Sequence, residues 1–299
     1  MAMTPDELID TSMMLIVHSG DARAAAFHAL QEAKAGNFEE AKKLMAESQE
    51  KALEAHHIQT GLLTDEGRKA KWIVEVHTTK KPEAQLLGSA IGMKVMEDVP
   101  YIKGLDKWLG SLDDDAKAYL KDMGAATASN GAVGLYHVAG ITPEAVEQGE
   151  DLILPAAQVY VIDDTELQRV YESYPVIWKN REATPKLCFM GCPHMSLHQL
   201  IDWTERVEQG LKAAGNKKVV IPTVFTAAPA VIEKFNATPY ATRLKETGVI
   251  VSYICPLMYM NNPLSGKIPV ITSSNKLRTY TSARYYTDDE ILAQITKGG

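Results

Sequence analysis

Cysteine is scarce in this 299-residue chain, which has only Cys188, Cys192 and Cys255. So small and odd a count argues against a secreted disulfide framework and leaves reduced thiols or metal ligands. Basic charge is not in excess either. The formal net charge is -7, with 5 basic and 10 acidic side chains in residues 1–60 and 26 and 28 in the remainder. Nucleic acid needs a basic face, so it is not an expected partner. No apolar run reaches the roughly 18 residues of a membrane span, and Met1 to Asp10 lacks the basic and apolar regions of a signal peptide. The expectation is a soluble cytoplasmic protein with no membrane partner. Its length favours two or three domains.

What is present changes character near Thr60 to Arg68. Before that seam, Thr4-Pro5-Asp6-Glu7 has the pattern of a helix start: a threonine cap, a proline where no donor is needed and a glutamate that closes a capping box. The first helix is expected to run through Leu8, Leu15, Ile16, Phe27 and Leu30 to Gly36, with Asn37 capping a second. In that second helix Phe38, Ala41, Met45, Ser48, Ala52, Ala55, Gln59 and Leu62 recur at steps of three and four, a seam for packing beside other helices. Small and polar members of the seam favour close approach in a bundle. A homo-oligomer formed through the N-terminal helices is therefore expected.

The segments His18-Ser19-Gly20-Asp21-Ala22-Arg23, Ala29 to Glu39 and Ala55-His56-His57-Ile58-Gln59-Thr60 resemble the lactose/cellobiose-specific A component of the sugar phosphotransferase system. The resemblance covers about two helices. It implies trimers of three-helix bundles whose phosphoacceptor histidine lies in a third helix, within a Val-His-Ala-Gln-Asp-His segment. That segment has no counterpart here. His77 follows a valine, but Thr78-Thr79-Lys80 depart from the pattern, so His77 reads as an ordinary strand residue.

After the seam, strands are predicted near 72–76, 133–138, 159–162, 187–190, 219–222, 250–254 and 268–272. Helices are predicted near 114–123, 165–174, 197–214, 230–235, 241–247 and 289–296, the last capped by Thr287 with Glu290 at the box position. Alternation of this kind implies an α/β body with parallel, helix-covered sheets, preceded by an α-helical hairpin. The expected domains are 1–60 and 61–299. Ligands then belong beyond the strands' carboxyl ends.

By that rule Cys192, in Gly191-Cys192-Pro193-His194-Met195-Ser196, and Cys255 belong to one edge. Thr272-Ser273-Ser274-Asn275-Lys276 ends another strand, and His137 with Thr142-Pro143-Glu144 ends a fourth. Sulfur ligands, hydroxyls, a lysine and a carboxylate in one crevice could hold iron and handle protons, the equipment of a hydro-lyase. Each piece also has a structural reading. Ser196 with Gln199 is a capping box, Thr142-Pro143-Glu144 is a helix entrance, and Cys188, inside its strand, is a small buried hydrophobe.

Gly61-Leu62-Leu63-Thr64-Asp65-Glu66-Gly67-Arg68, Leu87-Gly88 with Ile91-Gly92, His137 to Ala145, Gly191 to Ser196, Cys255 and Ser273 to Lys276 resemble successive landmarks of the aconitase X large subunit, over roughly Gly61 to Gly299. The Gly-Cys-Pro-His-x-Ser and Gly-x-Thr-Pro-Glu-Ala elements are specific in combination. The resemblance implies a dehydratase of mevalonate 5-phosphate or a hydroxyproline, an iron–sulfur cluster with Cys192 and Cys255 as ligands, and a small swivelling-domain subunit as partner. In the mechanism it implies, Ser274 is the base and Lys276 lowers its pKa or holds a carboxylate. His194 orients the cluster loop and Glu144 assists proton delivery, with Ser196, His137, Thr142 and Ser273 facing substrate. The family's N-terminal part, with a further cluster cysteine, would precede Gly61, where the hairpin stands, and loss of that part would remove activity. The other readings are a phosphotransferase-system sugar-uptake component and a fused oligomerisation scaffold without catalysis.

Overall fold

The computed structural model describes residues 5–62, 66–260, 262–263 and 266–298. Thr4 and the 63–65 portion of the Gly61–Arg68 motif lie outside the described residues, as do the side chains of Leu8 and Leu62. The chain divides into two compact units, Met1–Lys69 and Ala70–Gly299.

The first unit is a pair of long helices, α1 (Pro5–Ala35) and α2 (Phe38–Leu62). Gly36, at φ 88°, makes the turn, a left-handed conformation that glycine adopts without a Cβ penalty. The interface is built from small residues. Ala22, Ala25 and Ala29 of α1 are buried, as are Ala41 and Ala55 of α2, and Ser48 donates to the Ala22 carbonyl at 2.8 Å. His18 Nδ1 lies 2.8 Å from Glu54 across the pair. The large apolar side chains stay outside: Ile16, Phe27, Leu30, Phe38 and Met45 are all exposed. Of the described members of the α2 seam, Ala41, Ser48 and Ala55 are used within the pair, while Phe38, Met45 and Ala52 are exposed.

The second unit contains β1 (Ala70–Val76), α3 (Ala84–Val95), β2 (Pro100–Lys103), α4 (Asp106–Leu109), α5 (Asp114–Gly131), β3 (His137–Val138), α6 (Pro143–Gln148), β4 (Ile153–Ile162) and α7 (Asp164–Glu172). It continues with β5 (Leu187–Met195), α8 (Leu197–Ala214), β6 (Thr223–Ala227), α9 (Pro229–Asn236), α10 (Pro239–Glu246), β7 (Ile250–Ser252), α11 (Pro256–Met260), β8 (Val270–Thr272), α12 (Asn275–Tyr280), β9 (Arg284–Tyr285) and α13 (Asp288–Lys297). The strands form two parallel sheets, one of four strands in the order β3-β2-β1-β4 and one of five in the order β7-β6-β5-β8-β9.

Side-chain alternation along each strand sorts the cores. On the four-stranded sheet, Trp72, Val74, Val76, Ile102 and Ile162 pack against Leu87, Ile91, Leu120 and Met123 of α3 and α5 and against Leu167 and Val170 of α7. On the five-stranded sheet, Cys188, Met190, Phe225 and Ile271 meet Leu200, Trp203 and Val207 of α8 with Ile291 and Ile295 of α13. Leu187, Phe189, Cys192 and Val270 point the other way, to Met260 of α11 and Leu277 of α12.

Several boundaries depart from the sequence reading for physical reasons. The segment 219–222 is not a strand: Val219 N donates to Thr247 O and Val220 N to Ile295 O, both at helix ends, and the strand begins only after Pro222. The 133–138 strand shrinks to His137–Val138, because α5 continues to Gly131 and closes with Ala132 in the left-handed region. Helix α3 was not expected, since Gly88 and Gly92 weaken the helical signal. They are there for contact: a Cβ on Gly88 would lie 2.3 Å from Met123 O, and one on Gly131 1.8 Å from Gly92 O. The backbones of α3 and α5 therefore touch. No described helix is long and apolar enough to cross a membrane.

Candidate active site

A cleft of about 470 Å³ opens at the carboxyl ends of β5 and β8, between the two halves of the second unit. Strand β5 supplies Gly191, Cys192 and Pro193, and the turn after β8 supplies Ser273 and Ser274. The start of α3 contributes Glu83 and Gln85, α5 contributes Asp122, α8 contributes Trp203 and Arg206, and α13 contributes Asp288 and Asp289.

Local bonding holds these groups in register. Gly191, at φ 96°, crosses Thr226 so closely that a Cβ would lie 2.3 Å from Thr226 O, and Thr226 Oγ1 donates to Gly191 O at 2.6 Å. The Cys192 carbonyl accepts from the Ser274 hydroxyl and from Gln85 Nε2. Ser274 Oγ also accepts from Leu277 N at 3.1 Å, which makes it the cap of α12. Gln85 Oε1 accepts from Asn275 N at 2.9 Å, tying α3 to the same turn. On the opposite wall Lys121 Nζ donates to the His194 carbonyl at 2.7 Å and to Gln199 Oε1 at 3.0 Å. Gln199 also closes the Ser196 capping box.

Carboxyl groups dominate the electrostatics. Glu83 Oε1 accepts from Asp288 N at 3.0 Å and Oε2 from the Tyr285 hydroxyl at 3.2 Å. Loss of water, reinforced by the charge of Asp288, pushes Glu83 up to about 8. Asp288 is raised by loss of water; Arg206 and a hydrogen bond from Ser273 oppose that shift. Arg206 lies 3.8 Å from Asp288 and 3.1 Å from Asp289, with its guanidinium 4.2 Å over the Trp203 ring. Asp122 is raised by burial, opposed by Lys121 and Gln199.

Of the sequence-derived site residues, Cys192, Ser273 and Ser274 line the cleft. His194 and Ser196 flank it, and Lys276 is close enough for its charge to act on the Cys192 thiol. Burial lowers the pKa of His194, helped by Lys121. His137, Thr142 and Glu144 are not brought to this crevice. They sit on β3 and α6, at the edge of the other sheet. There His137 is buried beside Tyr101, Thr142 Oγ1 accepts from Val138 N at 3.0 Å, and Glu144 is exposed in the first turn of α6. The strand-end rule holds for each sheet separately, and one chain built two sheets. Sequence reasoning did not single out Glu83, Arg206, Asp288 or Asp122. The available signal was Pro82-Glu83, which repeats the Pro143-Glu144 helix entrance, and Asp288-Asp289 within a segment noted only for its cap.

Near-parallel strands, helix cover and a polar cleft past the strand ends define an α/β body of the doubly covered class, carried behind a separate helical hairpin. Each part is similar to a known family. Residues 70–172 match the aconitase X second domain, and residues 10–80 match the lactose/cellobiose-specific IIA subunit of the PTS system. The phosphomevalonate dehydratase large subunit of Thermococcus kodakarensis is 31% identical over 224 residues, covering 74% of this chain and 52% of that protein. The crystal structure of Thermococcus kodakaraensis aconitase X, in its holo-form, superposes with a TM-score of 0.62 at 28% identity, covering 78% of this chain and 57% of that one. The cellobiose-specific EIIA component of the PTS system from Lactococcus lactis subsp. lactis is 42% identical over 71 residues, covering 23% of this chain and 61% of that protein. The chain thus spans about half the length of the dehydratase subunit it matches. The PTS match runs to residue 80, yet residues 70–76 fold as β1, and His77 is exposed just past that strand.

An iron–sulfur cluster fits the residues present only in part. Cys192 and Cys255 are near enough for their charges to interact; Cys192 lies in the carboxyl-end portion of β5 and Cys255 follows β7, both strands of the five-stranded sheet. Burial raises the Cys192 thiol, opposed by Ser274. Cys188 is fully buried on the opposite face of β5, where burial raises its thiol strongly. Among the described residues no group of three His, Cys, Asp or Glu side chains is placed to hold a metal ion. Two thiols do not complete a cluster's donor set, so no chemical step is derived through one.

Proposed function

We propose that the α/β body is an aconitase X-type hydro-lyase of the large-subunit kind, working in the cytoplasm on a small hydroxy acid such as mevalonate 5-phosphate or a hydroxyproline. A small swivelling-domain polypeptide is its proposed partner. The observation that carries this reading is the cleft at the carboxyl ends of β5 and β8, where Cys192, Ser273 and Ser274 meet carboxyl groups and Arg206. Elimination of water needs one group to accept a proton from carbon and another to deliver one to the departing hydroxyl. Arg206, stacked on Trp203, presents a planar cation suited to a substrate carboxylate or phosphate.

Ser274 is the base that the resemblance implies, and it is also the cap of α12. Ser274→Ala separates the two roles. Loss of a general base lowers turnover by about 10²–10⁴-fold, whereas loss of a cap lowers stability by about 1 kcal/mol and leaves turnover in place. The decisive assay incubates the anaerobically purified chain with mevalonate 5-phosphate, and separately with hydroxyprolines, with and without an aconitase X-type small domain. Formation of the dehydrated acid is followed by mass spectrometry. Turnover that depends on the partner is the expected result; no dehydration of either substrate type with the partner present rejects the reading.

For the hairpin, the outward Ile16, Phe27, Leu30, Phe38 and Met45 favour a role in self-association. Sedimentation of the whole chain tests it, with a discrete oligomer expected.

A further inference from the structure

Glu83 and Asp288, from distant parts of the chain, line one cleft, where the Glu83 carboxyl accepts from the Asp288 backbone N–H and lies near enough to the Asp288 carboxyl for their charges to interact. Glu83 precedes α3 and does not cap it: its side chain makes no bond to the helix's own first turn. Instead it reaches 205 residues along the chain to Asp288 N, and also meets Tyr285. These bonds fix the carboxyl in place, and the charges that act on it are those of Asp288 and Asp289. The charged and titratable groups around it are Asp288 and Asp289 on α13, Tyr285 on β9, Tyr119 on α5 and Lys81 on its own loop. Lys81 is exposed and sits 5.0 Å over the Tyr119 ring. The second cation lining the cleft, Arg206, stands on the α13 side, 3.8 Å from Asp288 and 3.1 Å from Asp289. Two neighbouring carboxyl groups cannot both ionise at low cost, and a cation beside Asp288 favours the charge there and the proton on Glu83.

We propose that Glu83 and Asp288 form the proton-handling pair of the cleft, Glu83 as the neutral acid that protonates the departing hydroxyl and Asp288 as the carboxylate that accepts the proton from carbon. This rests on the dehydratase reading and assigns the two residues that would carry its proton transfers. The balance is closed within the pair. The C–H electrons become the second bond of the alkene, the C–O bond breaks, and water leaves with the Glu83 proton. The proton now on Asp288 returns to Glu83, so the pair holds one proton before and after. Ser274 is less suited to the carbon-side step, because its own proton is spent on the Cys192 carbonyl, which cannot take it up.

The test uses the full chain with its small-domain partner and mevalonate 5-phosphate, together with difference infrared spectroscopy of the protein alone. Glu83→Gln is expected to lower kcat by about 10²–10⁴-fold with KM within about threefold, and Glu83→Asp to restore part of the loss. Without substrate, wild type should show a protonated carboxyl at neutral pH that is absent from Glu83→Gln and that titrates at lower pH in Asp288→Asn. Wild-type turnover in Glu83→Gln, or an ionised Glu83 at neutral pH, overturns the assignment. A protonated Glu83 in a chain that dehydrates neither substrate type overturns the dehydratase reading and the transfer step with it, so the two failures are distinguishable.

Discussion

The two units place their apolar side chains in opposite ways. In the hairpin, alanines and a serine fill the helix interface while Phe27, Leu30, Phe38 and Met45 face outward. In the α/β body Phe225, Phe235, Leu87 and Ile91 are fully buried and the polar groups gather in a cleft. Both follow from the same hydrophobic effect at different levels of assembly. A sheet with helices on it encloses its own core, whereas two helices have no interior and leave most of their large side chains for other surfaces to cover. The body is therefore expected to fold as a self-sufficient core, and the hairpin to gain most of its burial by association.

The largest break in that comparison comes from the body. Phe225→Ala, at the fully buried contact with Trp203, should cost about 3–5 kcal/mol in a denaturant melt of the α/β body. Phe27→Ser in the hairpin should leave that melt unchanged within about 0.5 kcal/mol and lower the mass seen in sedimentation. A hairpin variant that destabilised the body would end the contrast. Gly131→Ala forces a methyl against the Gly92 carbonyl and should cost about 1–3 kcal/mol or more by the same melt, because backbone cannot move aside as a side chain would. Thr287→Ala removes the α13 capping box and should cost about 1 kcal/mol.

The pH dependence rests on one group of the cleft. Glu83 binds its proton more tightly folded than unfolded, its pKa rising from 4.5 to about 8. Between those values the unfolded chain has released the proton that the folded chain keeps. Stability should therefore fall as pH rises from about 4.5 to 8 and level off above it. The pH dependence of thermal stability should therefore be flatter in Glu83→Gln over that window.

Much of the fold could be read from local pattern. Helix α8 begins and ends where predicted because Ser196 with Gln199 and then Gly215 are strong local signals. Helix α13 is found within a residue at each end for the same reason. Helix α3 was missed because Gly88 and Gly92 answer to α5 across the fold and not to their own helix. The candidate site divides in the same way. Cys192, Ser273 and Ser274 follow apolar runs and could be placed at strand ends. Glu83 and Asp288 could not be paired, because nothing local marks residues 205 positions apart as neighbours.

By itself, then, the sequence determined the seam between two kinds of chain, the parallel character of the second and the exit of Cys192 and Ser274 from strand ends, since periodicity and capping act over a few residues. Only the tertiary structure decided that the strands split into two sheets, which sends His137 and Glu144 to one and the cysteines to the other. It also decided which carboxyl groups are pushed above their ordinary pKa, Glu83 and Asp288 among them. That depends on how much water each group loses and which charges stand beside it, and both are set by side chains brought together from distant parts of the chain.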